Sequence, residues 1–169
     1  MVKVGREEIF KRNAIATLGD AFPDVKYFFF QRKLRTNKGK YFEAPLFPGY
    51  IFFQIDELSA RFFQCLRGMD DFCRILYSND KPVKIRGGGL DELKLFISNG
   101  EHWGVSKVQF LPGKKVRAVA GPLVGLEGKV YKVNKKKKHI TVISSLTPDG
   151  KKFDLLYEDA DLIDDGKNT

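Results

Sequence analysis

The sequence has very few residues of the kinds that build disulfide frameworks and metal centres. Cys65 and Cys73 are its two cysteines, and neither histidine, His102 or His139, lies near them in the chain. Such a set provides neither a disulfide framework nor the four ligands of a structural zinc site, and it is typical of a reducing compartment. We therefore expect a cytoplasmic protein without a bound metal.

Long apolar runs and catalytic patterns are also missing. No apolar run approaches the ~20 residues of a membrane-spanning helix, and the N-terminus lacks the apolar core of a secretory signal. Neither histidine neighbours a nucleophile, and Gly87-Gly88-Gly89 lacks the Lys-Ser/Thr of a phosphate-binding loop. The acidic pairs at 70–71 and 164–165 fall in expected loops or a tail, where solvation explains them. We expect no catalytic residue, no cofactor and no membrane contact, and hence no enzyme.

Positive charge, in contrast, is in excess and unevenly distributed. The chain of 169 residues carries 30 Lys and Arg against 21 Asp and Glu. Residues 104–153 hold 12 basic and 2 acidic groups, whereas residues 1–103 hold 17 and 13, and residues 154–169 hold 1 and 6. A basic excess suits a polyanionic partner such as nucleic acid, although a merely soluble basic protein can also have one. The clustering favours nucleic acid.

The first part of the chain, residues 1–103, mixes helical and strand patterns. Apolar residues at helical spacing predict helices, and runs of aromatic and β-branched residues predict strands. The predicted helices cover 5–19, 56 or 59 to 67, and 90–97, and the predicted strands cover 24–35, 50–55, 72–77 and 82–85. Residues 32–40 read as a basic hairpin tip that turns at 37–39. These elements indicate an α+β domain with an antiparallel sheet.

The second part has the sequence pattern of a small β-barrel. Residues 104–110 are the predicted linker, and 111–165 the predicted second domain. Short β-rich runs lie at 116–120, 129–133, 139–143 and 153–156, with turn signals between them. A helical hairpin is disfavoured for this domain because Pro148-Asp149-Gly150 would interrupt its second helix.

Two motifs make the chain resemble a known family. Leu46-Phe47-Pro48-Gly49-Tyr50-Ile51-Phe52-Phe53 resembles the signature strand of the amino-terminal (NGN) domain of NusG-family transcription factors. Residues 113–130, with Gly121-Pro122 and Gly125 at tight turns, resemble a KOW motif. The order of the motifs is that of NusG, and the resemblance covers nearly the whole chain. It implies an NGN domain followed by a KOW barrel, in a non-enzymatic factor that binds RNA polymerase.

The N-terminus departs from the family pattern. NusG proteins open with a complete strand, and here Val4-Gly5-Arg6-Glu7-Glu8 matches only the end of that segment. Either the start codon is assigned late or the first strand of the sheet is clipped, and a clipped strand would lower the stability of this domain.

The first motif contains the expected polymerase-binding residues. Strand alternation sends Tyr50 and Phe52 to one face and Ile51 and Phe53 to the other. One face should fill the core, and an aromatic pair left exposed on the opposite face would mark a partner site, unless a helix covers both faces. In NusG relatives the matching positions contact the clamp helices of RNA polymerase. The resemblance implies that role for Tyr50 and Phe52, with Phe47 beside them.

The basic residues fall mainly at two tips. Lys135–Lys138 connect the second and third barrel strands and adjoin Lys129 and Lys132, so they could neutralise several phosphates, although such a run is commonly just a solvated loop. If both tips face the same way, they form one clamp for a structured RNA hairpin. The expected RNA-binding residues are Arg32, Lys33, Arg35, Lys38, Lys40, Lys129, Lys132, Lys135, Lys136, Lys137 and Lys138.

The sequence leaves open which branch of the family the chain resembles most. The chain resembles specialised paralogues, such as LoaP and RfaH, as much as housekeeping NusG. LoaP is similar in linking a basic KOW domain to recognition of an RNA hairpin, which implies processive antitermination. The alternatives are a housekeeping elongation or termination factor whose KOW domain binds Rho or a ribosomal protein, and a ribosome-associated KOW protein.

Overall fold

A computed structural model describes residues 1–76, 82, 84–147 and 149–160 of the chain. Within these ranges the fold is α+β, as predicted. The helices are α1 (Glu7–Leu18), α2 (Ala60–Arg67) and α3 (Gly88–Asn99). The strands are β1 (Lys26–Phe28), β2 (Gln31–Arg35), β3 (Tyr41–Pro45), β4 (Phe52–Gln54), β5 (His102–Trp103), β6 (Ser106–Leu111), β7 (Lys115–Ala120), β8 (Val130–Asn134), β9 (His139–Ile143) and β10 (Lys152–Asp159). No helix in this part of the chain has the length and apolar character needed to cross a membrane.

Helices α1 and α2 pack on the antiparallel pair β1–β4. The buried apolar residues of α1, Phe10, Ala14 and Leu18, recur at four-residue spacing and therefore share one helix face. Helix α2 begins where the Ser59 side chain accepts a hydrogen bond from the Phe62 amide (3.1 Å), which satisfies one of the free N–H groups of the first turn. This packing forms the core of the first part of the chain.

The single strand predicted over 24–35 is wrong, because the chain changes sheet in the middle of it. Strand β1 pairs with β4, whereas β2 pairs with β3 and, in parallel, with β5. Between them, Phe29 and Phe30 are consecutive and both buried. The strand is interrupted at these two residues, where the chain passes from one sheet to the other.

The other elements of the first part differ from prediction mainly in length. Helix α3 is longer than predicted, and β4 is shorter than the predicted strand 50–55. The predicted strand 72–77 is reduced to one bridge between Phe72 and Val2, with residue 77 outside the described ranges. The predicted strand 82–85 is absent among its described residues, 82, 84 and 85. The short N-terminus still pairs, since the Val2 amide donates to the Gly49 carbonyl (2.8 Å).

The second part is a curled five-stranded sheet in the order β7-β6-β10-β9-β8, compatible with a KOW-like barrel. Strand β6 begins at Ser106 and so occupies most of the predicted linker 104–110. Ser106 and Val108 are both fully buried, an alternation typical of a strand. Strand β6 pairs with β7 in antiparallel and with β10 in parallel orientation. The strand is evident only from its pairing in the folded chain, because the nearby Gly104 suggested a linker in the sequence.

Both parts of the chain contribute to one hydrophobic core. Phe47 and Phe96 come from the first part, and Phe153 on β10 meets their rings at 5.5 Å and 6.0 Å between centroids. Trp103 packs edge-on against Phe96 at 4.5 Å and against Phe153 at 6.1 Å. We call this contact region between the first part and the five-stranded sheet the seam.

Replacing Phe153 with Ala should lower the free energy of unfolding by about 3–5 kcal/mol, because it removes a buried ring and leaves a cavity. Urea denaturation followed by the fluorescence of Trp103, the single tryptophan, measures the change. Phe42→Ala is the control, since its ring is 45% exposed, and we expect a decrease below about 1 kcal/mol. Two separate unfolding transitions in the unaltered protein would contradict a shared core.

Candidate functional site

The loop before β4 is held in place by contacts with the N-terminal segment and helix α1. The Gly49 amide donates to the buried carboxylate of Glu7 (2.7 Å). Gly49 has φ +79°, and a Cβ there would lie 3.1 Å from the Val2 carbonyl oxygen, so only glycine fits without strain. The Pro48-Gly49 turn therefore fixes where the aromatic side chains on both sides of it point.

Alternation in the aromatic motif is as predicted. Tyr50 and Phe52 join the shared core, whereas Ile51 and Phe53 pack against the core formed by α1 and α2. The expectation of an exposed aromatic face is wrong for this structure, because Tyr50 and Phe52 are each 8% exposed and Phe47 is 3% exposed. Helix α3 and the five-stranded sheet cover these rings.

The cover comes from specific groups on both parts of the chain. Phe47 stacks on Phe96 of α3, with centroids 6.1 Å apart, and the ammonium of Lys151 lies 5.6 Å from the centre of the Tyr50 ring. The residual surface of Tyr50 and Phe52 lines an apolar groove of about 390 Å³. The three aromatic residues therefore lie together on a covered face, and two of them, Tyr50 and Phe52, also line the groove.

A buried carboxylate forms the polar centre of the seam. Glu92 on α3 is 3% exposed, and its oxygens accept hydrogen bonds from the Ser144 hydroxyl (2.7 Å), the Ser145 amide (2.8 Å) and the Lys129 ammonium. A buried charge is tolerated when its hydrogen bonds are made in this way. Lys129, expected to bind RNA, instead pairs across the seam.

Arg32 also lies at the seam rather than at the hairpin tip. Its Nη1 donates to the Leu46 carbonyl (3.3 Å), and its buried Nε has no partner among the described residues. Burial lowers the pKa of Arg32, and the charge of Asp154 opposes that shift. Its guanidinium therefore bonds within the first part of the chain, close enough to Asp154 of β10 to feel that charge.

The hairpin β2–β3 carries the first basic tip. Lys33, Arg35, Lys38 and Lys40 are exposed on it, at or beside the turn. Tyr41, which is 47% exposed, follows them, and the Lys33 ammonium lies 5.5 Å from the centre of its ring. We call this element the first hairpin; it combines cations with an exposed aromatic ring.

The hairpin β8–β9 carries the second basic tip, and we call it the second hairpin. Lys132, Lys135, Lys136 and Lys137 are exposed. Asn134 accepts a hydrogen bond from the Lys137 amide through its side chain (3.0 Å), which closes the turn. Lys138 forms an ion pair with Asp159, and that hydrogen bond raises the pKa of Lys138.

The two hairpins meet at one pocket of about 330 Å³. Arg35 and Tyr41 of the first hairpin line it, together with Lys138 of the second hairpin and residues 156–159 of β10. His139 lies nearby: burial lowers its pKa, as do the charges of Lys137, Arg32 and Arg35, against the opposing effect of Asp154. The two hairpins therefore share one pocket, whose lining carries two cations, Arg35 and Lys138, and two carboxylates, Glu158 and Asp159.

Sequence reasoning missed several residues of this pocket. Tyr41 could have been found, because an aromatic residue directly follows a basic turn. Tyr157, Glu158 and Asp159 carry no such signal, since they reach the pocket through the pairing of β10. No group of His, Cys, Asp or Glu in the described part of the chain is arranged to hold a metal ion.

Comparison with known proteins identifies the family. Residues 1–94 match the family described as transcription termination factor nusG, which covers more than half of the chain, while the KOW-like region lies outside the match. No curated protein matches the chain. The matched region includes α1, the aromatic motif and the first hairpin. The chain therefore belongs to the NusG family of transcription elongation and termination factors.

Proposed function

We propose that this protein is a cytoplasmic transcription factor that binds RNA polymerase with its first part and structured RNA with its two basic hairpins, promoting processive transcription as LoaP-like antiterminators do. The observation that carries the RNA half of the proposal is the meeting of both hairpins at one pocket. Membership of the NusG family supports the polymerase half.

Charge and geometry support RNA as the ligand of the hairpins. Lys135, Lys136 and Lys137 have exposed ammonium groups that can each neutralise a phosphate. Lys33, Lys38 and Lys40 extend the positive surface across the first hairpin. Such phosphate contacts position a nucleic acid without reading its sequence, so they account for affinity.

Replacing Lys135, Lys136 and Lys137 with Gln should weaken binding to RNA hairpins of any sequence. The slope of log affinity against log salt should flatten by roughly 2, about 0.7 for each phosphate that is no longer neutralised. Fluorescence anisotropy across a salt series measures both quantities. The matched control changes Lys114, Lys115 and Arg117, three exposed cations beside and on β7, to Gln. Equal effects in the two triple variants would indicate a general effect of net charge and would contradict an RNA site at the second hairpin.

Affinity for RNA should also rise as the pH falls from 8 to 6. In the free protein the pKa of His139 lies below its ordinary value, so the ring is neutral near pH 7. Phosphates bound beside it raise that pKa again, and binding then takes up a proton. His139→Gln should remove this part of the pH dependence, whereas His102→Gln, which alters the exposed partner of Glu43, should not. Identical pH profiles for both variants would exclude His139.

Polymerase binding is proposed for the covered aromatic face. Phe47, Tyr50 and Phe52 form one continuous apolar surface, of the kind that usually marks a partner site when uncovered. Because Phe47 contacts Phe153, full access to this face requires the five-stranded sheet to move away. Polymerase and the sheet would then compete for the same three rings.

Weakening the seam should therefore strengthen polymerase binding. Lys129→Gln removes the cation that neutralises Glu92 and leaves the buried carboxylate with two neutral donors. Removing a partner from a buried group costs about 1–3 kcal/mol, so we expect affinity for RNA polymerase to rise at least about fivefold. Lys132→Gln, an exposed cation nearby, is the matched control. Unchanged or weaker binding by the Lys129→Gln protein would contradict this location of the polymerase site.

A further inference from the structure

We infer that the pocket between the two hairpins receives one unstacked base of the bound RNA. This inference rests on the proposed function and assigns separate roles in RNA binding to two sets of residues. The exposed lysines of both hairpins hold phosphates, whereas the pocket holds a base and so supplies sequence preference. Bases in hairpin loops are available for such recognition because they can be splayed out of the stack.

The walls of the pocket suit a flat ring. Tyr41 contributes a half-exposed phenol and Arg35 a planar guanidinium, both from the first hairpin. Aromatic rings and guanidinium planes are the groups on which proteins stack single bases. A pocket of about 330 Å³ with such walls leaves room for a base between the hairpins.

The remaining wall of the pocket carries hydrogen-bond acceptors. Glu158 and Asp159 contribute carboxylates, which accept hydrogen bonds from exocyclic amino groups of bases. Tyr157 also lines the pocket, and its buried hydroxyl has no hydrogen-bond partner among the described residues. A buried polar group without a partner is rare, and a bound base would provide one. Cytosine and adenine present an amino group where uracil presents a carbonyl oxygen, so the pocket should disfavour uracil.

The ion pair at the rim can open when RNA binds. Lys138 and Asp159 are both substantially exposed, and exposed pairs of this kind are weak. The Lys138 ammonium also lies 5.3 Å from the centre of the Tyr157 ring, so its side chain partly covers that residue. A phosphate that draws Lys138 away would free the Asp159 carboxylate and uncover Tyr157 for the base.

The test compares two exposed tyrosines that each have a lysine over the ring. Tyr41 lines the pocket, whereas Tyr131 is 58% exposed on β8, lies under Lys152 and does not line the pocket. Binding of full-length protein to RNA hairpins with one common stem and loops of cytosine, adenine or uracil is measured by anisotropy. Tyr41→Ala should weaken binding to the cytosine and adenine loops roughly tenfold, because the base no longer has a ring to stack on. Tyr131→Ala should stay within about twofold of the unaltered protein.

Two conservative variants test the acceptor wall. Glu158→Gln and Asp159→Asn each keep the shape of the side chain and replace an acceptor-only carboxylate with an amide that can also donate. Each should reduce the preference for cytosine or adenine loops over uracil loops while leaving affinity for the uracil loop nearly unchanged. Circular dichroism checks that each variant is folded.

The outcomes separate this inference from the proposed function. In one outcome the Lys135–Lys137 variant binds more weakly, but Tyr41→Ala behaves like Tyr131→Ala and the three loops bind equally. The base pocket is then wrong, and phosphate binding by the lysines stands. If the lysine variant binds every hairpin with unchanged affinity and salt dependence, RNA binding by the second hairpin fails, and the base pocket fails with it.

Discussion

The insertion of Phe153 between the rings of Phe47, Phe96 and Trp103 is the contact on which the rest of the structure depends. These side chains come from four separate places in the chain, and their burial joins the five-stranded sheet to the first part. Apolar burial is not directional, so it sets the strength of this contact more than its geometry. The geometry is set beside it by Glu92, whose buried carboxylate has to meet its donors on the opposite side of the seam.

This one contact has opposite consequences for the two surfaces of the molecule. It covers the aromatic face that the family resemblance assigns to polymerase, and it brings the two basic hairpins to the same pocket. Under the proposed function, polymerase favours the separated arrangement and an RNA that bridges both hairpins favours the packed one. Two ligands that prefer different arrangements of one element are coupled through it, and the coupling is reciprocal.

The seam also divides the basic residues into two groups that look alike in the sequence. Lys129 pairs with Glu92 across the seam, and Arg32 is partly buried beside it, bonded to the Leu46 carbonyl. Lys135, Lys136 and Lys137 remain exposed at the turn of the second hairpin. Counting cations in the sequence therefore overestimates the positive charge that remains exposed on the folded protein.

Sequence alone determined the features that depend on local patterns. The α+β class, the helices α1 to α3, the β character of the second part and the opposite facing of Tyr50 and Ile51 all follow from periodicity and turn residues. The break at Phe29-Phe30, strand β6 in the predicted linker and the covering of the aromatic face were decided by tertiary structure. Each depends on which distant segment packs against which, and strand pairing and core packing between residues far apart in the chain leave no periodic signal. For the same reason the pocket shared by Tyr41, Lys138 and Asp159 exists only in the folded chain.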